Sequence, residues 1–181
     1  MADISEVYKR YASYIDTFKN TSYDSSQNDE YLCKDSSQQI INFDKIVEDL
    51  YPDSNERPNS FDAVFMYENN IYCIEFKNQK PAQINKKRNV LHDKLIEGKK
   101  VFTGILRENN IREKDYNFIY VVVYKECKSN YDKYKCGIGN KQIKFGLDKY
   151  KKSGFVKDVF TQDVTFFTRA FNLKFHKDLT C

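Results

Sequence analysis

The 181-residue chain carries 30 Lys and Arg against 26 Asp and Glu, a formal net charge of +4, so any phosphate-binding surface must come from local clustering. A hydrophobic content of 40% and an aromatic content of 15% exclude a disordered chain and predict one packed domain. No apolar run reaches the length of a membrane span and Met1–Tyr14 lacks a signal-peptide core, so a soluble cytoplasmic protein without a membrane partner is expected.

Apolar and aromatic residues at Val7, Tyr8, Tyr11, Tyr14, Ile15 and Phe18 recur at spacings of three and four, which predicts an amphipathic helix over Ala2–Phe18. Lys19–Asp35 is rich in Ser, Asn, Asp and Gln and reads as a loop. A second helix is expected from a cap at Ser36 or Ser37 to about Leu50, with Ile40, Phe43, Val47 and Leu50 on one face. Pro52 and Pro58 then break the chain.

Two runs rich in Val, Ile, Phe and Tyr follow within Ser60–Gln79, flanking Glu68-Asn69-Asn70, and predict a β-hairpin. With Asn69-Asn70 as a two-residue loop, Glu68 faces Ile71, Val64 faces Glu75 and Asp62 faces Lys77. Because the side-chain period is two, Asp62, Glu75 and Lys77 then share one face. The other face carries Ala63, Phe65, Tyr67, Tyr72, Ile74 and Phe76, a surface fit for a core. A three-residue loop would move Asp62 opposite Phe76 and separate it from Glu75.

Two carboxylates and a lysine at the end of a hairpin are costly to desolvate unless they coordinate something. Carboxylate oxygens suit a hard cation such as Mg²⁺ or Mn²⁺, and a nearby ammonium can orient a metal-bound water or steady developing charge on a phosphate. Asp62, twelve intervening residues, then Glu75-Phe76-Lys77 resembles the active-site pattern of the PD-(D/E)XK nuclease superfamily. Tyr51-Pro52-Asp53 supplies a literal Pro-Asp, but Asp53 sits in a polar loop, so Asp62, which begins a strand, is preferred. The resemblance implies an α/β (α+β) fold with a restriction endonuclease-like core. That core is a mixed central sheet flanked by helices, in the order α-β-β-α-β, with extra N- and C-terminal helices. It would cover about residues 36–125 of a single domain, with 126–181 as a C-terminal extension.

The resemblance also implies roles. Asp62, Glu75 and the Phe76 carbonyl would hold Mg²⁺ or Mn²⁺, and Lys77 would position or activate the attacking water. A Glu from the helix ahead of the hairpin joins the metal site in many members, which makes Glu48 the candidate and Glu30 the second choice. Glu48 reads equally well as a solvated helix-face carboxylate. An active-site glutamine in several branches corresponds to Gln79, or else Gln83. After Pro81, a helix is expected over about Ala82–Lys100, with Ile84, Leu91 and Leu95 buried. In the family this helix packs beside the substrate, so Lys86, Lys87, Arg88 and Lys94 become candidate contacts to nucleic-acid phosphates. His92 reads as a surface or packing residue rather than a ligand.

Asn117–Tyr124 is a nearly unbroken apolar run and predicts a strand buried on both faces, in the middle of the sheet. Beyond it come a polar segment over Lys125–Gly139, a short basic helix over Leu147–Lys152 and a strand over Phe155–Phe160. A last helix, capped by Asp163, is expected to run to about Asn172 with Val164, Phe167, Ala170 and Phe171 inward. Tyr131, Lys133, Tyr134, Lys135 and Lys141 make an aromatic-basic stretch able to grip a nucleic-acid backbone, or an ordinary exposed loop. The five cysteines are irregularly spaced, so reduced thiols are expected; a zinc site from Cys127, Cys136, His176 and Cys181 is the weaker reading.

The sequence thus favours a metal-dependent endonuclease acting on DNA, with a homodimer as an arrangement common among enzymes that cut both strands. Two alternatives stand beside it. One is a catalytically inactive binding module for nucleic acid or protein, in which Asp62, Glu75 and Lys77 form a buried ion cluster. The other is an RNA-cleaving nuclease of toxin type, since a metal site contacts only the phosphate.

Overall fold

The computed structural model describes residues 4–24, 30–125 and 142–181. It is a mixed α/β protein: a six-stranded mixed sheet with helices on both faces, seven α-helices among the described residues, and a separate two-stranded ribbon. Cys127, Cys136 and the aromatic-basic stretch Tyr131–Lys141 lie outside the described residues.

In chain order, α1 (Ser5–Arg10) and a 3₁₀ turn lead into β1 (Ile15–Thr17) and α2 (Phe18–Thr21). The short β2 (Tyr23–Asp24) and β3 (Glu30–Tyr31) make the ribbon, and β4 (Gln39–Asn42) runs straight into α3 (Phe43–Leu50). The hairpin is β5 (Ala63–Tyr67) and β6 (Asn70–Lys77), followed by α4 (Pro81–Lys86), α5 (Arg88–Glu108) and β7 (Asn117–Tyr124). The chain closes with α6 (Asp148–Lys152), β8 (Asp158–Asp163) and α7 (Val164–Phe175). The large sheet has the order β1-β4-β5-β6-β7-β8, antiparallel from β1 to β6 and parallel from β6 to β8.

The hairpin forms with a different turn from the expected one. Its loop is Glu68-Asn69 and Tyr67 faces Asn70, so the register slides by two residues. The neighbouring strand accounts for this: Asn70 is already paired to Asn117, whose N–H donates to the Asn69 carbonyl at 2.8 Å. The positive φ that the tight turn requires falls on Glu68, at 51°, rather than on an Asn. A slide of two preserves the alternation of faces. Ala63 faces Ile74, so Asp62 comes level with Glu75 instead of Lys77.

Both sheet faces are buried. Val64, Met66, Ile71, Cys73, Phe118, Tyr120 and Val122 pack with α1, α3, α5 and α6. Ala63, Tyr72, Ile74, Phe76, Ile119, Val121 and Val123 pack against Phe18 of α2 and the Phe167, Phe171 and Phe175 stripe of α7. This double burial explains the unbroken apolar run of β7, which lies between β6 and β8. β8 means that residues beyond 125 complete the sheet edge.

Several expected boundaries change. The long first helix is a short α1, a 3₁₀ turn, β1 and α2, because Tyr11, Tyr14 and Phe18 bury into different neighbours. The second helix starts at Phe43, not at Ser36 or Ser37: Asn42 caps it by accepting the Lys45 N–H at 3.2 Å, and Ile40 belongs to β4. The helix after Pro81 breaks at Lys87 and continues to Glu108, because Phe102, Ile105 and Leu106 extend its buried stripe past Lys100. The last strand begins at Asp158, and Asp163 caps α7 by accepting the Phe166 N–H at 2.9 Å. Gly98 on α5 lies against Phe61, just ahead of the hairpin: a Cβ there would stand 2.7 Å from the Phe61 ring.

The cysteine expectation is also corrected. Cys33 and Cys181 form a disulfide, Cα to Cα 4.1 Å, which removes Cys181 from any zinc set and leaves Cys73 as a buried free thiol. The bridge is one part of a C-terminal clasp. Asp35 accepts from the N–H and hydroxyl of Thr180, and Leu179 exchanges two hydrogen bonds with the Asn172 side chain. A disulfide of this kind persists in oxidising surroundings, which weighs against the expected cytoplasmic setting. No helix among the described residues is long and apolar enough to cross a membrane.

Candidate active site

The geometry begins where β5 starts and β6 ends. Glu75 is fully buried on β6, and the Asp62 side chain, just ahead of β5, is 15% exposed. The backbone fixes Asp62 twice. Its carbonyl accepts the Phe43 N–H at the start of α3, and its Oδ2 accepts the Phe76 N–H at 2.6 Å. Phe76 thus reaches Asp62 through its N–H, while its side chain fills the opposite core.

Two ammonium groups enter this carboxylate pair. Lys77 Nζ lies 2.6 Å from Glu75 Oε1. Lys94, from α5, stands between the two acids, 3.0 Å from Asp62 Oδ1, 2.9 Å from Glu75 Oε1 and 3.0 Å from Glu75 Oε2. Glu75 Oε1 is buried against both ammonium groups, Lys77 at 2.6 Å and Lys94 at 2.9 Å. A third carboxylate, Asp44 in the first turn of α3, accepts the Ser60 hydroxyl and belongs to the same electrostatic cluster.

Burial disfavours charge on every member, and the neighbours decide which groups keep it. Against burial, the Lys77 and Lys94 ammoniums hold the Glu75 carboxyl below the ordinary value of 4.5. Burial and the Glu75 charge push Asp62 well above 3.8, with Lys94 opposing. Burial likewise raises Asp44, again opposed by Lys94. Glu75 raises Lys77, and Glu75, Asp62 and Asp44 overcome burial to raise Lys94. Three carboxyl groups face two ammoniums, so with all three ionised the cluster carries one net negative charge and attracts further positive charge.

A cleft of about 550 Å³ opens over Asp62 and Lys77. Its walls are Asn20–Asp24, the α3 residues Asp44, Lys45 and Glu48, the residues Asn78 and Gln79 after β6, and Lys87 and Val90. That volume lies within the range of small-molecule and substrate sites.

The remaining sequence candidates fall in distinct places. Glu48 lines the cleft but is 55% exposed and pairs with Arg57 at 3.1 Å. Glu30 accepts from Asn78 and Lys125 at the far side of β6. Gln79 lines the cleft just after β6, whereas Gln83 spends its side chain on the Lys80 N–H that opens α4. Lys86, Lys87 and Arg88 are exposed, and of these Lys87 lines the cleft. Lys94 is not with them; its side chain is 18% exposed and committed to Asp62 and Glu75. His92 bridges the Tyr150 hydroxyl and the Phe145 carbonyl, a packing role.

The sequence reading left Asp44 and the inward turn of Lys94 unassigned. Asn42 as the cap of α3 would have put Asp44 at the helix end nearest Asp62. The Leu91 and Leu95 stripe would have put Lys94, three residues after Leu91, at its buried flank.

Among the described residues no three His, Cys, Asp or Glu side chains converge as a ready-made metal cluster. Two carboxylates are nevertheless the usual protein share of a Mg²⁺ site, with waters completing the shell. The all-oxygen donor pair of Asp62 and Glu75, held 3.0 and 2.9 Å from one shared ammonium, fits such an ion.

Comparison with known protein families, with characterised proteins and with solved structures finds no match.

Proposed function

We propose that this protein is a divalent-metal-dependent nuclease of PD-(D/E)XK type that hydrolyses phosphodiester bonds, with DNA as substrate. The observation that carries the reading is the level placement of Asp62 and Glu75 on adjacent hairpin strands beneath a cleft, with Lys77 2.6 Å from Glu75. The order α3, β5, β6, α4 and α5, β7 supports it: with α4 and α5 counted as one helix broken at Lys87, it is the α-β-β-α-β order of a restriction endonuclease-like core.

Asp62 and Glu75 would hold Mg²⁺ or Mn²⁺, with Asp44 as the nearest further carboxylate. When bound, the ion would supply Lewis-acid activation of a phosphate oxygen and of water. Lys77, anchored on Glu75, presents an ammonium to the cleft, where it orients a water and offsets charge developing on the phosphate. Exposed Lys87 and the neighbouring Lys86 and Arg88 supply sequence-independent attraction for the nucleic-acid backbone. Gln79 lies at the same rim and can donate to a phosphate oxygen.

The test is cleavage of plasmid, linear duplex, single-stranded DNA and RNA by wild type, Glu75→Ala and Lys77→Ala with Mg²⁺ or Mn²⁺. Loss of cleavage in both folded variants supports the assignment, and the substrate panel separates deoxyribonuclease from ribonuclease. Cleavage by pure Glu75→Ala protein defeats it.

A second reading, a binding module without catalysis, is favoured by one observation. Lys94 already bridges Asp62 and Glu75, so the cluster balances much of its charge without an ion. Absence of divalent-metal binding by the wild type would select it.

A further inference from the structure

We infer that Lys94 is an internal stand-in for the metal: it occupies the Asp62–Glu75 pair in the ion-free protein and must leave it when a divalent cation binds. The inference rests on the proposed nuclease reading and adds to it a competition built into the site.

Lys94 Nζ lies within 3.0 Å of Asp62 Oδ1 and of both Glu75 oxygens. The fourth oxygen, Asp62 Oδ2, accepts the Phe76 N–H and keeps a second lone pair. Because Lys94 contacts both Glu75 oxygens, a cation shared by the two carboxylates would still have to use an oxygen that Lys94 already contacts. Mg²⁺ binds carboxylate oxygens at about 2.1 Å, which would bring a dication against the ammonium. Two positive centres that close, with little water between them, repel strongly.

Charge points the same way. With Asp44, Asp62 and Glu75 all ionised, Lys77 and one dication complete a neutral set, so the ion does the work of Lys94 and of one further positive charge. Lys94 has a route out of the pair. It stands on α5 one turn after Val90 and two turns after Lys87, both of which line the cleft, and its side chain is 18% exposed. A released ammonium swings toward that cleft on a flexible four-carbon stem.

Lysine 77 cannot play this part. Among the described residues its ion pair is with Glu75, at Oε1, and it does not bridge the two acids.

Two measurements test the inference. The first is calorimetric titration of Mn²⁺ into wild type, Lys94→Met and Lys94→Arg. Removing the competitor should tighten Mn²⁺ binding on the order of tenfold, within the range of coupling between close charged groups. Lys94→Arg, which keeps the charge, should bind no tighter than wild type. The second needs no variant: acylation of Lys94 by an amine-reactive ester, read by mass spectrometry, should be slow in ion-free protein and several-fold faster with saturating Mg²⁺.

Mn²⁺ affinity unchanged or weakened in folded Lys94→Met, or Lys94 labelling indifferent to Mg²⁺ in a protein that binds it, overturns the inference and leaves the nuclease reading standing. Failure of both wild type and Lys94→Met to bind Mn²⁺ overturns the nuclease reading and the inference together.

Discussion

Glu75→Gln probes the cluster with almost no change of volume. In the wild type a fully buried carboxylate meets two ammoniums at 2.6 and 2.9 Å. Removing one partner of a buried ion pair costs about 3–5 kcal/mol when the other is left stranded. Here the stranding is partial, because Lys94 keeps Asp62 at 3.0 Å and the Lys77 side chain is 24% exposed. A penalty of about 2–3 kcal/mol at pH 7 is therefore expected, which leaves an ordinary domain folded and lowers Tm by about 5–10 °C. Urea and thermal unfolding of both proteins measure it.

The pH dependence carries the sign. Glu75 is held below its ordinary 4.5, so its contribution is fully present above that value and is lost as pH falls through the folded pKa. The gap between wild type and Glu75→Gln should therefore close below pH 4.5. Asp62 acts oppositely. Raised well above 3.8, it lowers stability as pH climbs from 3.8 toward its folded value, and loss of the Glu75 charge should bring that value down. A penalty under about 0.5 kcal/mol, typical of a surface substitution, or one that does not change in acid would refute this account of the cluster.

Reduction of Cys33–Cys181, or Cys181→Ser, should destabilise the fold by up to about 5 kcal/mol on the chain-entropy estimate for a separation of 148 residues, seen as a lower Tm with a dithiol reductant. Asp35→Asn should cost on the order of 1–2 kcal/mol at neutral pH. Burial opposes ionisation there, but N–H groups of Gln38, Thr180 and Ser37 hold the carboxyl at about 2, so the wild-type advantage should fade as pH drops from about 4 to about 2. Gly98→Ala gains about 1 kcal/mol of helix propensity but drives a methyl into Phe61, so unfolding should show a net loss of about 1–2 kcal/mol. A more stable Gly98→Ala protein would mean that Phe61, stacked 4.5 Å from Phe43, can move aside at no cost.

What was legible in the sequence followed from period and from doubly buried runs. The strand over Asn117–Tyr124 has no polar face to disguise it, and its bounds come out as read. The hairpin was legible as two strands with Asp62 and Glu75 on one face, since alternation survives a two-residue slide. The turn was not: Asn69-Asn70 looked the better loop, but pairing of Asn70 to Asn117 is a contact between residues 47 apart. The N-terminal third misled for a related reason. Spacings of three and four in Tyr11, Tyr14 and Phe18 mimic a helix, yet Phe18 packs on the opposite sheet face from Tyr11. The disulfide joins two cysteines with no shared local pattern, and only the fold of the C-terminal segment across Asp35 brings them together. At the site, the acid–acid–lysine set could be read from spacing, whereas Lys94 and Asp44 arrive from two helices whose ends depend on tertiary contacts.

The most direct measurement of the central claim is calorimetric titration of Mg²⁺ and Mn²⁺ into wild type and Glu75→Ala at neutral pH, with circular dichroism to verify that both are folded. Saturable binding by the wild type and none by the variant is the expected result. Binding by neither folded protein would contradict a metal site at Asp62 and Glu75 and leave an ion cluster closed by Lys94.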